Sequence, residues 1–132
     1  MTTVLSTTSR FQRSIIGGSG VIAAAIGVAI TFFPGAFYAG YGITLPSDPN
    51  LLSELRAPGA NLAALGGIML VGAFKTRWFD VASLLAIVVF FAFAAGRLVS
   101  WVLDGTPNLS ILSAFAIEAV IGILVLLARR QA

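Results

Sequence analysis

The chain has 132 residues, 58% hydrophobic and only 10% charged, with a mean hydropathy of +1.00 and a formal net charge of +3. That balance leaves too little polar surface to coat a soluble core, and the absence of Cys and His excludes disulfides, thiolate or imidazole metal sites, a Cys nucleophile and a His general base. The Lys and Arg residues are scattered between apolar runs and form no basic stripe, so a nucleic-acid partner is excluded and no cofactor is implied.

In chain order, "MTTVLSTTSRFQRSII" reads as a polar cytoplasmic arm over residues 1–13 followed by an anchor. It is not a cleaved signal, because the apolar run is long and no clean small-x-small site follows. The first span covers about 14–33. Its "GGSG" lacks the Lys and Ser/Thr of a phosphate loop and is read as close packing. Pro34 ends that span and opens the long connection, which carries Phe37, Tyr38 and Tyr41 as headgroup-belt residues. Asp48 caps a helical piece beginning at Pro49, either a separate helix or an extension of the next span, and Pro58 resets the chain. The second span covers about 57–74, the third 79–103 and the fourth 109–128, each near the roughly 20 residues that cross a hydrocarbon layer of about 30 Å. The fold class expected is all-α: a single membrane domain over residues 1–132, built as a four-helix bundle.

Arg10, Arg13, Lys75, Arg77, Arg129 and Arg130 flank the spans on one side, with Asp48 and Asp104 on the other. Positive residues stay on the cytoplasmic side. The expectation is a multi-pass protein of a bacterial inner membrane with both termini cytoplasmic.

The charges left over mark a candidate site. Arg97 lies about 10 Å below the end of its helix, and Glu118 about 16 Å below Pro107 on the next. A charge at mid-bilayer costs about 2.5–3.5 kcal/mol, so each needs a partner. The short "GTPN" connection makes the two helices antiparallel neighbours, and a long Arg side chain spans the offset of about 6 Å. Phe93, Arg97, Ser100 and Asp104 share one face of the third span. Glu54 and Arg56 stand at the mouth of the second, where Asn61 shares a face with Glu54 or serves as helix-to-helix glue. The expected polar network or ligand site is Arg97, Glu118, Arg56, Glu54, Ser100, Asp104 and Asn61, with Phe90, Phe93 and Trp101 lining a cavity. Small-residue ladders expected to pack closely are Gly20, Ala23, Ala24 and Gly27; Arg56, Ala60, Ala63 and Gly67; Ala92, Gly96 and Ser100; and Ser110, Ala114, Glu118 and Gly122.

"SELRAPGANLAALGGIMLVGAF" and "AGRLVSWVLDGTPNLSILSAFAIEAVIGILVLL" together carry a resemblance. The order of Glu54, Arg56, Ala57, Gly59, Gly96, Arg97, Ser100, Asp104, Gly105, Pro107 and Glu118 resembles that of the bacterial four-span membrane family called domain of unknown function 4345. The resemblance implies a four-helix bundle and no known activity; Pro58 departs from the pattern.

Three roles are consistent with these residues. The first is a non-enzymatic structural or accessory subunit, whose polar network fixes helix register and whose small-residue stripes dock on a larger membrane complex or a second copy. The alternative is a module that binds a lipid or other amphipathic molecule in an outward-facing cavity. Catalysis or proton-coupled transport ranks below both, because Arg97 would hold Glu118 ionised and the two halves do not plainly repeat.

Overall fold

The computed structural model describes residues 9–130. Among the described residues five α-helices follow one another: α1 Arg10–Phe32, α2 Pro34–Ala39, α3 Pro49–Phe74, α4 Phe79–Asp104 and α5 Leu109–Arg130, with a 3₁₀ turn at Thr76–Trp78. Helices α1, α3, α4 and α5 are each long and apolar enough to cross a membrane. They form an all-helical four-helix bundle in which α1 and α4 flank α3, and α5 closes the ring between α4 and α1.

Most of the expected polar arm lies outside the described residues, at 1–8. Residues 9–13, expected with it, instead open α1. Ser9 is its N-cap and forms a capping box with Gln12: the Gln12 N–H donates to Ser9 Oγ, and the Ser9 N–H to Gln12 Oε1. Gln12 is buried and its Nε2 also donates to the Ala128 carbonyl at 2.9 Å, tying the start of α1 to the end of α5. Replacing Gln12 by Leu removes both interactions. A loss of about 1–2 kcal/mol in unfolding free energy is expected, measured by denaturant titration in micelles.

The question left open at Pro49 has a definite answer, since α3 runs unbroken from Pro49 through Pro58 to Phe74. Pro58 therefore does not reset the chain. Asp48 caps this helix by accepting from the Asn50 N–H. Within the apolar spans, the Ser19 and Thr31 hydroxyls donate to the carbonyls four residues earlier. Such a bond to its own helix backbone lets a hydroxyl sit within an apolar span.

Helices α1 and α3 pack almost backbone to backbone. Gly20 and Gly27, seven residues apart, meet Gly66 and Gly59 in antiparallel order. A Cβ added at Gly27 would strike the Ala63 backbone and lie 2.6 Å from the Gly59 carbonyl oxygen; one at Gly20 would lie 2.9 Å from the Gly66 carbonyl. The seam on α3 is thus Gly59, Ala63 and Gly66, which corrects the expected ladder ending at Gly67, whose added Cβ would meet nothing. One residue moves a side chain by about 100° around a helix, enough to leave the contact.

The core sits toward the end of the bundle that carries the termini. Ile16, Met69, Val125 and Ser83 are fully buried there, and Gly72 of α3 lies against Ala82 of α4. Arg129 closes this end: it pairs with Asp80 at 2.9 Å and donates to the Asp80 carbonyl and Ser83 Oγ, both at 2.8 Å. Toward the opposite end, where the loops 33–48 and 105–108 lie, the pairs α1/α3 and α4/α5 part and leave a cavity.

Candidate functional site

Arg97 and Glu118 meet in the loop half of the bundle. The Arg97 Nε donates to Glu118 Oε2 at 2.8 Å and its Nη2 to Oε1 at 2.9 Å, a bidentate fork that uses both carboxylate oxygens. Their side chains are 26% and 13% exposed. The fork clamps α4 to α5, reinforced on the same seam by Trp101 edge-on against Phe115 and by Gly122 beneath the Phe91 ring.

The pair forms the polar corner of a cavity of about 740 Å³. Ile22, Ile26 and Ile30 of α1 make one wall, and Phe90 and Phe93 of α4 another. Ala114 of α5 supplies open space beside Glu118. Tyr38 and Tyr41, from the connection after α1, complete the polar end. The Tyr41 ring centre lies 6.0 Å from the Arg97 guanidinium carbon, at the limit of a cation–π contact. Burial, with help from nearby Tyr41 and against the pull of Arg97, holds the Tyr38 phenol above its ordinary value of 10.0. It therefore stays a neutral hydroxyl at physiological pH.

A roof crosses this polar end. Asn108 Nδ2 donates to the Tyr41 carbonyl at 2.6 Å, so the first connection is tied to the α4–α5 turn. Asn108 Oδ1 accepts from the Ile111 N–H and caps α5 at the same time. The flanks are less closed. Between α1 and α5, Ile22 and Ile117 line the cavity and are also exposed. Between α3 and α4, the exposed Ala92, Gly96 and Ser100 line it.

The structure brings only part of the expected network together. Ser100 lines the cavity, but its hydroxyl donates to Asp104 one turn on, at 2.9 Å, and not to the Arg97–Glu118 pair. Arg56 is displaced from the network, because it lies on the side of α3 that faces α1 and donates to the Thr31 carbonyl there. Glu54 and Asn61 are exposed and join no hydrogen bond of the site, since α3 stands diagonally across the bundle from α5. Trp101 corrects a further expectation: its indole N–H turns to Thr106 Oγ1 at 3.1 Å and its ring to Phe115, outside the cavity that Phe90 and Phe93 do line. The ladder Ala92–Gly96–Ser100 also differs from expectation. It packs against no helix, and a Cβ at Gly96 would meet nothing within 4 Å. Tyr38, Tyr41 and Asn108 were missed as site components, because no spacing in the sequence links a connection near 38–41 to a turn near 108.

Four apolar spanning helices around an internal ion pair and cavity define a multi-pass membrane protein of the four-helix-bundle class. The chain belongs to the family described as "Domain of unknown function (DUF4345)", which matches residues 11–129. No curated protein and no solved structure matches it.

Proposed function

We propose that this protein binds a membrane-dissolved amphiphile, its head at the Arg97–Glu118 corner and its tail along the apolar walls. The observation that supports the reading is the cavity itself. At about 740 Å³ it falls within the roughly 300–1,000 Å³ of small-molecule sites, and it combines apolar walls with a few convergent polar groups. Both flanks open where lipid would lie and the polar end is roofed, so the bilayer is the natural source of a ligand. The cation excess at the terminal end supports, on the positive-inside rule, a loop end that faces outward from a bacterial inner membrane.

A docking subunit has less in its favour. Gly20, Gly27, Gly59 and Gly66 are occupied inside the α1/α3 seam, and the small residues of α4 open on the cavity. The ion pair needs no separate role, since it both clamps α4 to α5 and supplies the polar corner.

Ala114→Trp tests this. It fills cavity space from α5 without touching the glycine seam. Native mass spectrometry after gentle extraction should show an amphiphile retained by the wild type and lost from Ala114→Trp, with the melting temperature of the lipid-stripped proteins nearly unchanged. A wild-type protein that emerges bare from a total lipid extract would refute the reading.

A further inference from the structure

The reading of the cavity as an amphiphile site leaves open which amphiphile, and the charge arrangement narrows it. Resting on that reading, we propose that the site selects an uncharged amphiphile whose head carries hydrogen-bond-accepting oxygens, as in a lipoquinone or a diacylglycerol, and that its tail leaves between α1 and α5.

The selection follows from how Arg97 is already used. Its charge is neutralised by both oxygens of Glu118 at 2.8 and 2.9 Å, so an anionic head would have to displace a bidentate carboxylate or lie against it. A cationic head would meet the guanidinium. The corner also lies seven residues, about 10 Å, below the end of α4, beneath the Tyr41–Asn108 tie. A charged headgroup would have to leave water to reach that depth. What the corner still offers is donors. The Arg97 Nη1 and the Tyr38 and Tyr41 hydroxyls bond to no other described residue, and they suit carbonyl or ester oxygen.

The exit for the tail follows from the two flanks. Where the α1/α5 flank meets the cavity it is bordered by Ile22, Ile26 and Ile117, all apolar. The α3/α4 flank carries Ser100 on α4, with Asn61 on the α3 face that meets α4 lower down, where Gly72 touches Ala82. An acyl or prenyl chain is better solvated by isoleucine than by hydroxyl and amide.

The absence of cysteine permits a direct test. Lipid-stripped protein would be titrated with decylubiquinone, dioctanoylglycerol and short-chain phosphatidylglycerol, reading the melting temperature and native mass spectra. Decylubiquinone or dioctanoylglycerol should bind, which of the two naming the head, with little change between low and high salt. Tyr41→Phe should weaken that binding about tenfold, as expected for one lost hydrogen bond. Single cysteines at Ile117, Gly96 and Val102 would then be labelled with a lipid-soluble maleimide. The bound probe should protect Ile117→Cys and leave Gly96→Cys and Val102→Cys reactive. Preferential binding of phosphatidylglycerol, or protection at Gly96→Cys in place of Ile117→Cys, would overturn the proposal while leaving the amphiphile reading intact. Failure of all three probes, in a protein that retains some other lipid from a total extract, would overturn it as well.

Discussion

Gly27→Leu is expected to abolish stable folding in micelles under conditions where wild type and Gly18→Leu remain folded. The two glycines lie on the same helix, but their surroundings differ. A side chain at Gly18 has open space, whereas a Cβ at Gly27 runs into the Ala63 backbone and the Gly59 carbonyl. Backbone atoms of a packed helix cannot rotate aside as a side chain tip can, so α1 and α3 must separate. Separation is costly beyond the one position. Gly20, Ala24, Gly59 and Gly66 depend on the same close approach, and between membrane helices that contact is a main source of stability because burial from lipid gains little. Overpacking a core costs about 1–3 kcal/mol, and the loss here should reach the upper end or exceed it. Unfolding in mixed detergent micelles, followed by circular dichroism, measures it. Gly27→Leu with near-native stability would mean that the helices are not in backbone contact.

Glu118→Ala should be the next most damaging change, at about 2–3 kcal/mol. Removing one partner of a buried pair costs about 3–5 kcal/mol, and the partial exposure of both side chains to the cavity lowers that figure. The stranded charge is the reason, since Arg97 would then lie about 10 Å inside its helix without a counter-ion. Replacing both residues by Met should restore most of the loss, because two apolar side chains leave nothing unpaired. The exchange Arg97→Glu with Glu118→Arg should recover part of the stability lost by each single change. A coupling energy above about 1 kcal/mol in that cycle is expected. Additive losses would show that the two side chains act independently.

These variants also separate stability from binding. Ala114→Trp should leave the fold intact while emptying the cavity of its ligand, whereas Gly27→Leu removes both. Gln12→Leu weakens the far end of the bundle and should leave ligand retention unchanged.

How much of this was legible in one dimension differs from element to element. The spanning helices were, because bilayer thickness sets their length and no charge can sit among lipid tails unnoticed. Helix α3 shows the limit: Asp48 and Pro49 signalled a start, yet Pro58 suggested a break, and only the continuous backbone settled that one helix passes through both. The Arg97–Glu118 meeting was legible because a short turn forces α4 and α5 to be antiparallel neighbours, which converts residue counts into depth. Arg56 and Glu54 were grouped with that pair on depth alone. Depth does not say which side of a helix faces which neighbour, and the Gly59–Gly66 seam turns Arg56 toward α1.

Composition and periodicity thus decided that the protein lives in a membrane, crosses it four times and must neutralise an Arg with a Glu, since each follows from the cost of placing polar groups in hydrocarbon. The cavity, its Tyr41–Asn108 roof and its open flanks were decided by three-dimensional packing. Close glycine contacts hold α1 to α3 and the ion pair holds α4 to α5, but no bulky side chain fills the space where the two pairs diverge, and an unfilled space leaves no mark in a string of residues.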